Sequence, residues 1–533
     1  METLRKQLAS ALTASLTDLN PVFKDVKVEV DYPAIGQFGD YTSNIALKAA
    51  KILKISPQSV AEELILKLKN LKGLNGIFEK IETAGPGFIN FYLSQAYLSA
   101  QADKILSLKG AYGQLKPRGK AKKIQLEFIS ANPTGPLTIG NGRGGFFGDV
   151  LGNVFKQCGY GVVKEYLIND AGKQIEVLGH SVLQDEQALY KGDYITELHK
   201  RLQKFNGPAK VGARAAKIIL VELLKATIEQ GMRVRFDRWF SETKELRKTK
   251  KIEKVIAWLK KKNYLYQSEG AWWFKATERG DTRDRVLVKG NGEFTYLAND
   301  CAYLVNKFSE RKFDRVINIW GADHHGDVPG LLAAAEALGY KGRQEIILMQ
   351  FVRLFKEGKE VRMSKRLGTY ITMDELLKEV GHDAARFLFL MYSNNTHIDF
   401  DLNAAKEKSE KNPVYYVQYA YARLSGILKQ EAIAKGKQGK IKALAYGNGQ
   451  ELALIKSLLR YPEVLEEIII GYQVQRLPQL ALEIAEKFHD FYNHCRVIDR
   501  DKVDWQRVAL VKLTRKVLGE VLAVIGVAAP EKM

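Results

Sequence analysis

The sequence predicts a multidomain α/β protein, in which a parallel-sheet domain lies between an N-terminal α+β module and an all-α C-terminal domain. Three observations support this fold class. Helix and strand patterns are mixed up to about residue 108, buried strands alternate with helices from about residue 124, and strand patterns are absent after about residue 395. The 533-residue chain has room for roughly three or four domains of usual size.

The N-terminal module is predicted over residues 1–108. Apolar residues recur at helical spacing in its first helix, and the valines between 26 and 30 alternate with charged residues as in a half-buried strand. A basic stretch with Gly and Pro over 109–123 is typical of a linker. The sequence therefore places a domain boundary near residue 109.

The parallel-sheet domain is predicted over residues 109–395, and the all-α domain over 396–533. The predicted strands of the sheet are 124–129, 162–168, 316–319 and 346–348, and the main helices between them are 140–156 and 328–338. A mostly helical insertion is expected at about 170–290. Strands that alternate with helices in this way pair in parallel.

The charge of the chain points to a polyanionic partner. Lys and Arg number 82 against 61 Asp and Glu, which gives a net charge of +21 and a pI near 9.5. Such a surface attracts nucleic acid in a salt-dependent way. A basic solvated surface without a specific partner is the plainer alternative.

The cysteines and the apolar segments exclude several classes of protein. Cys158, Cys301 and Cys495 are widely spaced, which argues against a disulfide framework and against a structural zinc site. No apolar run approaches the roughly 18 residues of a membrane span, and the first residues lack the pattern of a secretory signal. We therefore expect a cytoplasmic protein that does not associate with membranes.

Two distant segments carry the chemistry. Residues 130–143 follow a strand as a Pro/Gly turn and then open a helix with small residues, so backbone N–H groups and the positive end of the helix can face phosphates. Residues 362–366 lie in a basic loop that can supply cations. Together the two segments predict a split ATP site.

An alternative interpretation is an NAD(P)-dependent oxidoreductase. Residues 140–145 match G-x-G-x-x-G, and Glu165 follows about 20 residues later, as a dinucleotide fold requires. Against this interpretation, residues 132–137 separate the strand from the glycines, and this turn is longer than a dinucleotide loop uses.

The sequence resembles the class I aminoacyl-tRNA synthetases and, within them, the arginyl-tRNA synthetases. Residues 138–141 and 362–366 occupy the places of the "HIGH" and "KMSKS" motifs of that class. Further similar segments follow in the family's order, almost from end to end: 127–137, 236–242, 296–300, 320–326, 412–419 and 529–533. Several ordered segments are far more specific than any one of them.

The resemblance implies a fold and an activity. It implies a Rossmann-like nucleotide-binding catalytic domain, an N-terminal module that contacts tRNA, and a helical anticodon-binding domain. It also implies ATP-dependent ligation of L-arginine to tRNA(Arg) through an arginyl-adenylate, with Mg²⁺ accompanying ATP. A monomer is expected.

The resemblance also assigns site residues. The catalytic candidates are Lys365, Arg362, Thr138 and Asn141. The candidates for ATP binding are Pro133, Gly135, Pro136, Thr138, Gly140, Asn141, Gly142, His324, Met363, Ser364 and Lys365. The candidates for arginine binding are Glu127, Ser130, Asn132, Glu242, Tyr296, Asp300 and Asp323, and those for tRNA binding are Tyr415, Tyr416, Tyr492 and Met533.

Physical chemistry supports the arginine assignment. A guanidinium carries five donors and a permanent charge, so it needs carboxylates and polar groups. Asp300 lies one helical turn after Tyr296, so both side chains can face one ligand. A metal site at His324 and His325 is the competing interpretation of that pair, but the neighbouring acids do not have a zinc spacing.

The chain departs from the family at the first motif, where Thr138 and Asn141 stand in place of both histidines. These residues keep hydrogen-bonding capacity but cannot supply an imidazolium. Charge stabilisation would then depend more on Lys365, Arg362, Arg143 and the helix N-terminus. A catalytically silent tRNA-binding protein on the same fold is therefore the second hypothesis.

Overall fold

The computed structural model describes residues 2–110, 112–117, 119, 122–361, 371–430, 433, 443–500 and 502–533. The predicted cationic segment 362–366 lies outside these residues. Across the described ranges, every helix is too short or too polar to cross a membrane.

The N-terminal module contains a small antiparallel sheet packed against helices. Its elements are α1 (Leu4–Leu19), β1 (Tyr41–Ser43), α2 (Ile45–Leu53), α3 (Pro57–Lys69), β2 (Phe78–Ala84), β3 (Phe88–Leu93) and α4 (Gln95–Ser107). The strand order is β1-β3-β2. The predicted strand at 26–30 is wrong: this stretch is extended, but it is tied by a single bridge between Asp31 and Thr42 and by the Ser43 hydroxyl, which donates to the Glu29 carbonyl.

The middle of the chain holds the largest sheet. Its elements are β4 (Lys123–Glu127), α5 (Ile139–Gln157), β5 (Gly161–Ile168), α6 (Lys173–Leu183), α7 (Asp193–Leu202), α8 (Pro208–Ile218), β6 (Arg238–Ser241), α9 (Lys251–Lys261), β7 (Leu265–Ser268), β8 (Ala271–Phe274), β9 (Arg285–Val288), α10 (Tyr296–Val305), β10 (Arg315–Gly321), α11 (Val328–Ala337) and β11 (Gln344–Met349).

Five of these strands form a parallel sheet in the order β11-β10-β4-β5-β6. The four predicted strands and their parallel pairing are confirmed. The segment predicted as mostly helical contributes four more strands: β6 extends this sheet, and β7–β9 form a separate antiparallel sheet. Each of the four has only four residues, which is too short for a clear sequence pattern.

The remaining elements begin with a second small sheet and continue as helices. They are β12 (Val352–Lys356), β13 (Lys359–Val361), α12 (Met373–Val380), α13 (His382–Leu390), β14 (Ile398–Asp401), α14 (Leu402–Lys406), α15 (Pro413–Leu428), α16 (Gly449–Leu459), α17 (Tyr461–Gly471), α18 (Arg476–His494), β15 (Ile498–Asp499), β16 (Lys502–Val503) and α19 (Trp505–Ile525).

The prediction of helices alone after residue 395 is mostly confirmed, with two exceptions. Strand β14 pairs in parallel with β12, and β15 forms a short hairpin with β16. Because β14 belongs to a sheet begun before residue 395, a division after α14 would keep that sheet in one unit. The exact boundaries stay predictions.

Helix α5 is the central element of the molecule. It packs against β5 and against α12, α13, α17 and α19. Near its middle, Asp149 accepts hydrogen bonds from Arg386 of α13 and from Lys164 of β5, and Arg386 also donates to the carbonyl of Ile525 at the end of α19. The last helix is therefore fixed directly to the helix that follows the first strand of the sheet.

Candidate active site

The connection between β4 and α5 turns sharply at the carboxyl end of the sheet. Ile129 and Ser130 have φ values of +67° and +37°, a region that L-residues rarely adopt. The Ser130 hydroxyl accepts a hydrogen bond from the Leu167 backbone N–H at 3.1 Å, and the Tyr166 hydroxyl donates to the Ala131 carbonyl at 2.6 Å. These contacts with β5 hold the turn in its unusual conformation.

The two residues that replace the histidines form the N-cap of α5. The Asn141 Oδ1 accepts from the Thr138 backbone N–H at 3.1 Å and from the Thr138 hydroxyl at 2.8 Å, while the Thr138 Oγ1 accepts from the Asn141 backbone N–H at 3.5 Å. This is a capping box. Within the described part of the chain, the Asn141 amide nitrogen has no hydrogen-bond partner and remains as a donor.

Small residues bring neighbouring elements close to this helix start. A Cβ atom on Gly142 would lie 2.2 Å from the Met373 sulfur, and one on Gly135 would lie 2.9 Å from the Tyr194 hydroxyl. Pro133 is buried, whereas Pro136 is half-buried and Gly140 is exposed. The predicted ATP-binding residues of the turn and of the first helical turn therefore lie together at the N-terminal end of α5.

The segment after the basic loop meets the same helix start. Thr138 forms an antiparallel bridge with Thr372, and the Met373 backbone N–H donates to the Leu137 carbonyl at 2.9 Å. Thr372 also caps α12 with Glu375. The predicted loop residues Arg362, Met363, Ser364 and Lys365 lie outside the described residues, but the chain resumes beside the N-terminus of α5.

Arg143 was expected to stabilise charge on the phosphates, but its side chain is used inside the protein. Its guanidinium donates to the carbonyls of Gln350, Ser393 and Thr396 at 2.6 to 2.7 Å, and the residue is only 1% exposed. Burial lowers its pKa to about 10. Arg143 therefore ties two loops to α5 and is unavailable to phosphates.

The buried acid Glu127 stands at the end of β4. Its Oε2 accepts from the Lys307 ammonium at 2.7 Å and from the Asn318 amide at 3.3 Å. Its Oε1 has a long contact of 3.5 Å with the Ser130 hydroxyl. Glu127 and Lys307 are 3% and 2% exposed, so this is a deeply buried ion pair.

A second buried acid, Glu242, approaches from the chain that follows β6. Its Oε1 accepts from the Arg247 guanidinium at 2.6 Å and from the Asn299 amide at 3.1 Å. Burial raises the pKa of Glu242, although Arg247 opposes this shift. Because Asn299 belongs to α10, the contact brings Glu242 next to the helix that carries the third acid.

The third acid, Asp300 of α10, is half-buried and has no hydrogen-bond partner among the described residues. Burial, followed by the charge of Glu127, raises its pKa to about 7, and Lys307 offsets part of this effect. A carboxylate kept without a partner near two other acids is an unfavourable arrangement unless a cation binds there. The three acids predicted from the sequence are therefore brought together.

Three other predicted arginine ligands, Asn132, Tyr296 and Asp323, are partly or largely exposed. The Asn132 amide donates to Gln174 at 2.5 Å, and Tyr296 at the start of α10 is 62% exposed. Asp323 is exposed on the turn after β10, beside His324, which also contacts Asp327 at 3.4 Å. In the described part of the chain, no three His, Cys, Asp or Glu side chains are placed to hold a metal ion.

The acid required by the oxidoreductase interpretation is not accessible. Glu165 is fully buried and accepts hydrogen bonds from Gln125, Tyr303 and Arg311. It therefore cannot reach a ribose, and the dinucleotide interpretation loses its acidic residue.

The predicted tRNA-binding aromatics lie on α15 and α18. Tyr416 packs on His489 with ring centroids 4.9 Å apart, and the Arg423 guanidinium lies 4.3 Å from the Tyr492 ring. Tyr415 is half-buried and Met533 is 53% exposed. Neither His489 nor Arg423 was among the residues predicted to bind tRNA.

Two cations of the acidic cluster, the half-buried Arg247 and the buried Lys307, were also missed. Arg247 follows Glu242 by five residues, and Lys307 follows Asp300 by seven. Seven residues are two helical turns, so the spacing places Lys307 and Asp300 on one helix face. That spacing is the signal that could have revealed Lys307.

Comparisons with known proteins agree on one family. The chain matches the family models "Arginyl tRNA synthetase N terminal domain" over residues 2–93, "tRNA synthetases class I (R), catalytic domain" over 200–411, and "DALR anticodon binding domain" over 417–533. Together these matches cover most of the chain.

Relatives and a solved structure are similar over nearly the full length. The arginine–tRNA ligase of Carboxydothermus hydrogenoformans is 41% identical, with 96% of this chain and 95% of the relative covered. Arginine–tRNA ligase 1 of Halalkalibacterium halodurans is 39% identical, with 100% and 99% covered. The structure of Thermus thermophilus arginyl-tRNA synthetase has a TM-score of 0.81 over both whole chains at 22% identity, which shows a shared fold.

Proposed function

Since the chain belongs to the arginyl-tRNA synthetase family, we propose that the cleft formed by β4, the start of α5 and α10 is where it binds arginine and ATP. The protein joins arginine to tRNA in an ATP-dependent reaction. The proposed site is supported above all by Asp300, whose carboxylate has no hydrogen-bond partner among the described residues and whose pKa is raised by burial and by the charge of Glu127. A guanidinium supplies the missing cation.

Each acid is assigned to a different part of the arginine substrate. Asp300 would accept hydrogen bonds from the guanidinium of arginine. Glu242 would face the guanidinium from the other side with its Oε2, because Arg247 binds Oε1. The Glu127 Oε1, with Ser130 and Asn132, would hold the ammonium end. Tyr296 and Asp323 would close the rim, since both are exposed next to the cleft.

The chemistry requires positioning and charge stabilisation. The arginine carboxylate attacks the α-phosphate of ATP, pyrophosphate leaves, and the arginyl group then passes to the terminal ribose of tRNA. No covalent bond to the protein forms, so catalysis depends on aligned reactants and on cations near the phosphates.

The phosphates would lie at the N-terminus of α5. There the helix dipole and the free Asn141 amide can meet them, with Thr138 and Asn141 holding the helix end in place. Lys365 and Arg362 would add positive charge from the loop that resumes beside Thr138. His324 lies after β10, where it can border the nucleoside.

Magnesium would arrive with the nucleotide. The described residues hold no cluster of three metal-ligating side chains, and Mg²⁺ commonly binds through substrate phosphates and water. We therefore assign Mg²⁺ to ATP as its substrate form.

The surfaces for tRNA would lie at both ends of the chain. The N-terminal module and the residues Tyr415, Tyr416, Tyr492 and Met533 are the proposed contacts, because the three tyrosines are only half-buried and aromatic rings can stack on unpaired bases. A monomer in the cytoplasm is proposed as the working state.

The test is arginine attachment to total tRNA by the purified protein with Mg-ATP, beside a Lys365→Ala variant. Charging by the wild type and a fall of about a hundredfold or more in the variant would support the proposed site. Binding of tRNA by a folded wild type without charging would instead favour the silent tRNA-binding protein. Equal charging by both proteins would remove Lys365 from the site.

A further inference from the structure

Lys307 is a buried ammonium inside the acidic cluster. It lies in the helical turns that continue α10, and it is 2% exposed. Its Nζ donates to the Glu127 Oε2 at 2.7 Å, lies 3.5 Å from the Asn318 Oδ1, and sits 3.8 Å from the centre of the Tyr303 ring. A buried cation with this many partners is held in one position.

The contacts of Lys307 divide the two oxygens of Glu127. Oε2 is occupied by Lys307 and by the Asn318 amide at 3.3 Å, whereas Oε1 has only the 3.5 Å contact with Ser130. Lys307 therefore fixes the rotation of the carboxylate. It leaves Oε1 as the oxygen that can accept from a ligand in the cleft.

Lys307 also sets the charge of the cluster. When ionised, the three acids Glu127, Glu242 and Asp300 carry three negative charges. Lys307 forms an ion pair with Glu127, and Arg247 forms one with Glu242. Of these three acids, Asp300 is the one that no cation pairs with among the described residues, so it is left for the positive charge of a ligand.

We propose that Lys307 is a positioning residue for arginine recognition, which acts by holding the Glu127 carboxylate ionised and in one orientation. The inference rests on the proposed arginine site. Without Lys307, Glu127 would be a buried carboxylate without a cation, free to rotate or to take up a proton. Either change would weaken the binding of arginine. The binding of ATP would be unaffected, because ATP is placed at the start of α5.

A structural role alone makes a different prediction. If Lys307 only joined the end of α10 to β4, its loss would lower thermal stability and affect all substrates alike. A positioning role instead raises the KM for arginine selectively, and it disappears once Glu127 can no longer be positioned.

The experiment is a double-mutant cycle of Lys307→Met and Glu127→Gln, read in tRNA charging and in thermal unfolding. The matched control is Lys251→Met, which removes the half-buried partner of the exposed Glu310 from the neighbouring helix. We expect Lys307→Met to raise the KM for arginine by about tenfold or more, with the KM for ATP within about twofold of wild type. Lys251→Met should change neither KM.

The cycle decides between the two roles. In the Glu127→Gln background, adding Lys307→Met should change the KM for arginine by less than about twofold, because the effect passes through Glu127. Additive effects, or equal increases in both KM values, would overturn the proposal. If Lys307→Met alone does not fold, Lys307→Arg keeps the buried charge but changes the shape of the donor, and an unchanged KM for arginine in that variant would overturn the proposal.

The failure of this inference differs from failure of the proposed function. A wild-type protein that does not charge tRNA with arginine would contradict the function itself. A wild type that charges normally, with an unchanged KM for arginine in Lys307→Met, would contradict only the role of Lys307.

Discussion

At the scale of single residues, Asp300 connects the electrostatics of the fold with substrate recognition. Its pKa of about 7 lies above the ordinary value for Asp, because burial and Glu127 disfavour its charge. The folded state therefore binds a proton more tightly than the unfolded chain, so this group lowers stability as pH rises from about 4 to 7. The carboxylate that arginine needs is thus formed at a cost to the fold.

Arginine affinity should follow this titration. In wild type the KM for arginine should fall as pH rises through about 7, because arginine binds ionised Asp300. Asp300→Asn should raise that KM by about tenfold or more and remove the pH dependence, while it raises the melting temperature at pH 8. Charging kinetics and thermal unfolding between pH 6 and 8 check this. A pH dependence that persists in Asp300→Asn would assign the titration to another group.

Asn141 should have two separable roles. Its Oδ1 caps α5, and its amide nitrogen is left for phosphate. Asn141→Asp keeps the cap but replaces the donor by a negative charge, so we expect an unchanged melting temperature and a fall in kcat on the order of a hundredfold. Asn141→Ala should lose both the helix cap and the amide donor, and we expect the free energy of unfolding to fall by about 1 kcal/mol. Equal kcat values for Asn141→Asp and wild type would place the phosphates elsewhere.

At the scale of elements, α5 is a helix built for close approach. Its glycines would disfavour a helix elsewhere, yet α5 spans Ile139–Gln157, because its first turns must pack closely against Met373 at the start of α12. Gly142 makes room for Met373 of α12, while Gly144 has no atom within 4 Å of an added Cβ. The glycines of α5 therefore differ in whether the surrounding structure has room for a side chain.

This difference gives a matched pair of substitutions. Gly142→Ala should destabilise the protein by about 1 to 3 kcal/mol, because the new methyl overlaps the Met373 sulfur. Gly144→Ala should stabilise it by about 0.5 to 1 kcal/mol through helix propensity alone. Chemical denaturation of both variants measures the two values. The same sign for both would show that α5 and α12 do not pack as described.

At the scale of the whole molecule, a buried ion pair joins the catalytic sheet to the last helix. Burial disfavours the charge of Asp149, yet Arg386 and Lys164 hold its pKa below the ordinary value. This stabilisation is present above about pH 4 and is lost as pH falls through the pKa of the folded state. Arg386 also donates to Ile525, so one side chain connects α13, α5 and α19.

Loss of this link should weaken the whole fold. Arg386→Met leaves Asp149 with Lys164 alone and the Ile525 carbonyl without its donor, so we expect a loss of about 3 kcal/mol in the free energy of unfolding. Arg353→Met removes an exposed pair with Asp399 and should cost less than about 1 kcal/mol. Denaturant titration measures both. Similar losses for the two variants would contradict a coupling role for Arg386.

The order of the domains and the identity of the acids could be predicted from the sequence. The central strands were recognisable because each is rich in apolar residues and alternates with a helix, and Glu127, Glu242 and Asp300 could be named because they lie in segments that resemble the family. The short strands β6–β9 and β14 escaped prediction, since four residues carry too little periodicity. Their pairing comes from contacts with distant segments.

The pairing of the charged groups became visible in the folded structure alone. Arg143 lies in the motif by sequence, but it serves backbone carbonyls of two distant loops. Lys307 lies outside every motif, but it neutralises Glu127 across 180 residues of chain. Local sequence fixes which charges a segment carries, whereas burial and pairing depend on which segments the fold brings together, and these contacts set the charge that a ligand meets.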